Sequence, residues 1–215
     1  MSTPTDAFEL TEPELTAEDL LVVEDPHFGP ETVAIVTGAA SGIGRATAVA
    51  LAANGLTVVG ADIDEDGLDG TVDLAADVGV DGTVRPLPTD LTDDGDVEAM
   101  VETAAETGAL RYVANIAGMQ HIASIPEFPM DRYDLLLDIM LRAPFLTAKH
   151  AMPHIRATDD GVGAIANMSS VHGQYATQDK AAYITAKHGL NGLTRAIAAE
   201  GEGTLRGFSV SAGYV

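Results

Sequence analysis

Cysteine is absent from the 215 residues, so neither disulfides nor thiolate chemistry can contribute. Lysine is nearly absent: the chain has Lys149, Lys180 and Lys187 and no others. Lysine and arginine together number 11 against 33 acids, a formal net charge of −22. A chain so short of cations repels nucleic acid, whose recognition needs basic patches. Long apolar runs are missing too, and the acidic N-terminus lacks a charged-then-apolar leader pattern. Together these absences predict a cytoplasmic protein with no membrane association.

The acids are spread over many segments and form no single tail. Residues 62–107 carry 15 of them against one base, Arg85. Such a surface on a chain that is 46% hydrophobic predicts adaptation to high salt, where screening removes self-repulsion. Stability is then expected to rise steeply with KCl. Residues 1–31 hold nine acids, four prolines and no lysine or arginine, and read as a solvated acidic extension. A short apolar segment within it, Leu15 with Leu20 to Val23, is the part suited to packing on the body. Residues 32–215 form one domain.

From Thr32 the pattern changes. Val33 to Thr37 is a short apolar run, which predicts a buried parallel strand. The turn Thr37-Gly38-Ala39-Ala40-Ser41-Gly42-Ile43-Gly44 follows, then an alanine-rich helix over Arg45–Asn54. Strand, glycine turn and helix are what a nucleotide pyrophosphate requires, since glycines admit the backbone and the helix end supplies N–H groups. A second strand, Leu56–Ala61, ends at Asp62. An acid there, about 20 residues after the turn, accepts from both adenosine ribose hydroxyls and repels a 2′-phosphate, which favours NAD over NADP. Further strands are expected at Thr83–Leu87, Leu110–Asn115, Gly163–Met168 and Gly207–Ser211. Helices are expected over 92–107, Met130–Ile155 and 181–200, with Pro144 bending or breaking the second of these. Strands alternating with helices predict an α/β fold of the Rossmann type, a doubly wound parallel sheet in three layers.

Tyr183 and Lys187 stand four residues apart, which on a helix puts both on one face. An ammonium beside a phenol favours the phenolate and suits it to proton exchange near neutral pH. Two of the three lysines, Lys180 and Lys187, flank that tyrosine. Ser170, just past a predicted strand, is placed to hold a substrate oxygen beside it.

The motifs Thr37-Gly-x-x-x-Gly-Ile-Gly44, Asn115-x-Ala-Gly118 and Tyr183-x-x-x-Lys187, in that order, make the chain resemble the short-chain dehydrogenase/reductases from about Thr32 to Val215. Met119-Gln120-His121-Ile122-Ala123-Ser124-Ile125-Pro126-Glu127-Phe128-Pro129, Ser170-Val171-His172-Gly173 and Lys180-Ala-Ala-Tyr183-Ile-Thr-Ala-Lys187-His188-Gly189 resemble the D-3-hydroxybutyrate dehydrogenases within that family. The resemblance implies an NAD-dependent oxidoreductase that interconverts a small 3-hydroxy acid and its keto acid. It implies that Ser170 orients the substrate oxygen, that Tyr183 is the general acid and base, and that Lys187 tunes Tyr183 and holds the nicotinamide ribose. Gly38, Ser41, Gly42, Ile43, Gly44 and Asp62 then hold the cofactor, Asp90 and Leu91 meet the adenine, and Asn115, Ala117 and Gly118 line the ribose side. Gln120, His172 and Lys180 bind the substrate carboxylate. Homodimers or homotetramers packed through the helices around 130–155 and 181–200 are implied as well.

Two departures from the family pattern stand out. Met140 occupies the position where the family usually has an asparagine in a proton relay, and a thioether cannot hold that water. The expectation is a weakened relay, and faster turnover when Met140 is replaced by asparagine. The family also continues past the sixth strand with a substrate-covering segment and a seventh strand, so the sequence reads as lacking the final strand. These departures keep two rivals open: a short-chain reductase for another keto acid or alcohol, and a catalytically silent NAD-binding or oligomer-interaction module.

Overall fold

Thr32–Thr37 (β1) is rich in β-branched residues, and every one of its six residues is buried. Its side chains alternate between two cores. Val33 and Ile35 enter one cluster, with Val101, Ile155 and Ile165, while Ala34 and Val36 enter the other, with Val49, Leu56 and Leu68. A strand apolar on both faces needs cover on both, which parallel crossover helices supply. The computed structural model describes residues 16–213 and provides that cover.

After β1 come Gly42–Ala53 (α1), Thr57–Asp62 (β2), Glu65–Val78 (α2), Thr83–Pro88 (β3), Asp94–Thr107 (α3) and Ala109–Asn115 (β4). Met130–Leu137 (α4), Ala143–Arg156 (α5), Gly163–Ser170 (β5), Ala181–Glu200 (α6) and Leu205–Ala212 (β6) complete the strands and α-helices among the described residues. The sheet runs β3-β2-β1-β4-β5-β6, all parallel. Chain order reverses between β1 and β4, so the connections leaving their carboxyl ends diverge to opposite sides. That divergence opens the crevice in which doubly wound sheets bind ligands.

Local chemistry sets the element ends. The Asp64 and Asp93 carboxylates cap α2 and α3 by accepting from backbone N–H groups in their first turns, and α2 stops at Gly79 in the left-handed region, φ 74°. The 130–156 helix is interrupted by a π turn over Asp138–Arg142, directly before Pro144, which stands in the first turn of α5 and cannot donate back into that turn. Strand β5 runs two residues beyond its expected end and carries Ser170 as its last residue.

The N-terminal extension is not a solvated tail from Thr16 onward. Asn54, at the end of α1, donates to the Leu21 carbonyl at 2.9 Å and accepts from Val23 N–H at 2.8 Å. Phe28 packs edge-on against Tyr112, centroids 5.7 Å apart, and Leu20 joins the α1/α2-side core. Leu21 and Val22 stay exposed, and Leu15 lies outside the described residues. His27 is held between Asp25 at 3.1 Å and Asp160 at 2.7 Å. Buried Arg111 reaches Asp159 and Asp160 from the other side. The hydrogen bond to Asp160 raises the His27 pKa above its ordinary value, with Asp25 adding to the effect.

Candidate functional site

The crevice at the carboxyl ends of β1 and β4 holds two adjoining clefts, of about 570 and about 470 Å³. They share the walls Ile43, Ile116, Gly118 and Met168.

The first cleft is built by the glycine turn. Gly38 leaves β1 at φ 73°, and a Cβ there would stand 2.9 Å from the backbone of Ala117. A Cβ on Gly44 would run into the Gly38 carbonyl, so the start of α1 can pack on the turn only as glycine. At Gly42, φ 50°, a Cβ would meet nothing, so that backbone faces open space. Asp62, at the end of β2, is pinned toward the turn: its carboxylate accepts from Ala40 N–H at 3.1 Å and from Asp64 N–H at 3.2 Å. Behind the turn, Arg45 donates to the Ala40 carbonyl and to Thr71 Oγ1, and Thr71 donates to the Ala39 carbonyl at 2.7 Å. Ser41, Ile43, Asp90, Leu91, Ala117 and Gly118 line the same cleft, as the sequence leads one to expect. An extended anion with an adenosine end fits this cradle. The turn presents backbone without side chains, and the acid waits at one end.

Asn115 is the exception. It is buried, does not line the cleft, and its amide donates to Asn167 Oδ1 at 2.8 Å. Asn167 in turn donates to Thr194 on α6 at 2.9 Å. Asn115 therefore ties β4 to β5 and α6. Thr37 makes a similar tie that the sequence did not signal, its Oγ1 accepting from Ile116 and Ala117 N–H at 3.0 and 3.2 Å.

The second cleft collects the remaining candidates. Ser170, His172, Tyr183 and Lys187 come from the end of β5, the turn after it and the first turns of α6; Gln120 and Lys180 close the cleft from two loops. Lys187 is 3% exposed; its Nζ donates to the Met168 carbonyl at 2.6 Å and lies 5.5 Å from the centre of the Tyr183 ring. Burial pushes its pKa down to about 8. His172 is buried edge-on to Tyr183, its Nδ1 3.4 Å from Ser170 Oγ and its Nε2 3.1 Å from Thr177 Oγ1. Met140 lies in the π turn at 1% exposure, packed with Leu136, Ala182 and Ala186 and against Gly118. An apolar thioether thus fills the space beside Gly118, which borders both clefts. Chemically, the six side chains offer one phenol, two amines, an imidazole, a hydroxyl and a carboxamide around one small volume. That set can move a proton and hold an anion.

A family model described as short chain dehydrogenase matches residues 32–215. An uncharacterised oxidoreductase of Bacillus subtilis, YxjF, is 37% identical over 187 residues, covering 85% of this chain and 70% of that protein. A D-beta-hydroxybutyrate dehydrogenase of Rhizobium meliloti is 35% identical over 188 residues, with the same coverages. The crystal structure of carveol dehydrogenase from Mycobacterium avium in complex with NAD superposes with a TM-score of 0.78 at 30% identity, covering 84% of this chain and 69% of that one.

Proposed function

This chain belongs to the short-chain dehydrogenase family of oxidoreductases acting on alcohol groups, and we propose that it uses NAD to interconvert a small 3-hydroxy acid, of the 3-hydroxybutyrate kind, with its 3-keto acid. One observation carries the reading: Gln120, His172 and Lys180 stand around the same cleft as Ser170, Tyr183 and Lys187. A small acid needs a cation and neutral donors for its carboxylate, and in a chain of net charge −22 these must be supplied locally. NAD, the group that the carveol dehydrogenase structure contains, suits the first cleft. Gly38–Gly44 would hold its pyrophosphate, and Asp62 would take the adenosine ribose hydroxyls and reject a 2′-phosphate.

When bound, the nicotinamide supplies the hydride acceptor, and hydride transfer is its chemistry. The chain does the rest. Gln120, His172 and Lys180 fix the carboxylate, so that C3 is presented to the shared wall between the clefts. Ser170 Oγ holds the substrate oxygen. In oxidation Tyr183 Oη takes the hydroxyl proton, and in reduction it returns one. Lys187, buried and anchored on Met168, keeps positive charge near the phenol as that proton leaves. Met140 supplies no polar atom toward this path, so protons leave by another route or slowly. A homodimer or homotetramer packed on the α4–α5 and α6 faces is part of the proposal, supported by exposed Met130 and Phe145.

The test is NADH production from D-3-hydroxybutyrate in molar KCl, beside a panel of neutral alcohols. Faster turnover of the hydroxy acid than of any neutral alcohol is expected. Turnover of neutral alcohols alone would move the chain to another substrate class, and calorimetric NAD binding with no turnover of any would leave a binding module. Among the described residues no helix is long and apolar enough to cross a membrane, so the assay calls for no detergent on that account.

A further inference from the structure

The substrate cleft is bounded by two loops that leave neighbouring strands. The loop after β4 carries Gln120, and the loop after β5 carries His172 and ends at Lys180. They meet at a single parallel bridge, Ala123 paired with Lys180, in which Ala123 N–H donates to the Asp179 carbonyl at 3.0 Å. Asp179 has φ 63°; among the described residues only it and Glu202 adopt positive φ without being glycine. Glu202 lies in the turn between α6 and β6, away from both clefts. At Asp179 the left-handed backbone has work on both sides. Its carbonyl crosses to the other loop, and the next carbonyl, of Lys180, accepts the first helical bond of α6 from Ile184 N–H at 2.9 Å. Tyr183 follows within the first turn of that helix.

The geometry points to Asp179 as a positioning residue: its left-handed backbone joins the Gln120 loop to the Lys180 loop and so sets the span across which a substrate carboxylate is held. The inference rests on the hydroxy-acid reading above for its substrate, but not for the tie itself. What matters at this position is the backbone and not the carboxylate. Asparagine and glycine tolerate the left-handed region, whereas a β-branched side chain there is a steric outlier. A slack tie lets Gln120 and Lys180 drift apart, which weakens ground-state capture of the carboxylate and leaves the proton and hydride chemistry of Tyr183 alone.

The test compares Asp179→Gly, Asp179→Asn and Asp179→Val, with Ala123→Pro removing the donor from the opposite loop. KM and kcat are measured for D-3-hydroxybutyrate and for a neutral cyclic alcohol at saturating NAD, and the Ala123 amide is followed by hydrogen exchange, with the β1 amides as the control for global unfolding. The valine and proline variants are expected to raise KM for the hydroxy acid on the order of tenfold, with kcat nearly unchanged and no change for the neutral alcohol. Exchange at Ala123 accelerates in the valine variant, and the glycine and asparagine variants match the parent. The proposal is overturned if valine leaves KM and the Ala123 amide unchanged, if KM rises equally for both substrates, or if glycine behaves like valine. Should the parent protein turn over only neutral alcohols, the hydroxy-acid reading falls. The exchange data still decide the tie: acceleration confined to valine upholds it, and none ends it.

Discussion

The two sides of the sheet's switch point are built to different standards of closure. On the β1–β2 side every residue of β1 is buried, the turn leaves no room for a Cβ at Gly38 or Gly44, and Arg45, Thr71 and Asp62 brace the loop from behind and from one end. On the β5–β6 side, Phe208 and Val210 are each 48% exposed, beside an apolar cavity of about 270 Å³ walled also by Phe28, Leu51 and Tyr112. The contrast separates two jobs. The cradle on the first side is mostly backbone and packing supplied by β1, α1, β2 and α2, with the Asp62 carboxylate at its end and the segments after β3 and β4 closing its wall. The cleft on the second side depends on loops, a buried amine and an apolar flank that the described residues leave partly open. A protein made this way should hold its dinucleotide more robustly than it orients its substrate.

The largest effect should come from removing the phenolic oxygen. Tyr183→Phe is expected to lower turnover by on the order of 10²–10⁴-fold while calorimetric NAD affinity stays nearly the same, the magnitude being that of general acid–base catalysis. Equal loss of both would show that the two sides are not separable.

Lys187→Met comes next, and it should move stability and activity in opposite directions. Burial holds the pKa of Lys187 in the folded protein near 8, below the ordinary 10.5, so the folded protein binds fewer protons than the unfolded chain between those values. Stability from this group therefore rises as pH climbs from about 8 to about 10.5, and at neutral pH the buried charge costs up to roughly 3 kcal/mol. The methionine variant should be more stable at pH 7 and inactive, with the stability gain shrinking by pH 10. Urea unfolding at both pH values measures it.

Gly44→Ala probes the closed side. Its Cβ must displace the Gly38 carbonyl, which is expected to destabilise the protein by about 1–3 kcal/mol and to abolish NAD binding. Normal affinity would mean that the turn is more pliant than its packing indicates. The smallest effect belongs to the open side: Phe208→Ser should change stability by less than about 0.5 kcal/mol while reducing self-association in light scattering. A large loss of stability there would erase the difference between the two sides.

Much of the closed side was legible in the sequence, because its signals are local. A β-branched run, three glycines at fixed offsets and an acid at the next strand end each act within a few residues. Tyr183 and Lys187 were legible for the same reason, through helical spacing. What escaped were features set by distant partners. Nothing near Asn115 announces that its amide will meet Asn167. The π turn at 138–142 replaces one hydrogen-bond register by another without changing composition, so Pro144 signals a break but not its form. Leu20 could be named as a packing candidate, but the docking of Phe28 was hidden because an isolated aromatic in an acidic segment has no period, and the stronger partner of His27 is Asp160, far along the chain.

Ile116 and Met168 stand in the walls of all three cavities, the apolar one behind the sheet included. A fluorescent dye that seeks greasy surface, of the sort added to melting assays, will settle behind the sheet against the same two side chains that border both clefts. Such a dye should behave as a weak inhibitor as well as a reporter, and screening results gathered with it will need a label-free control.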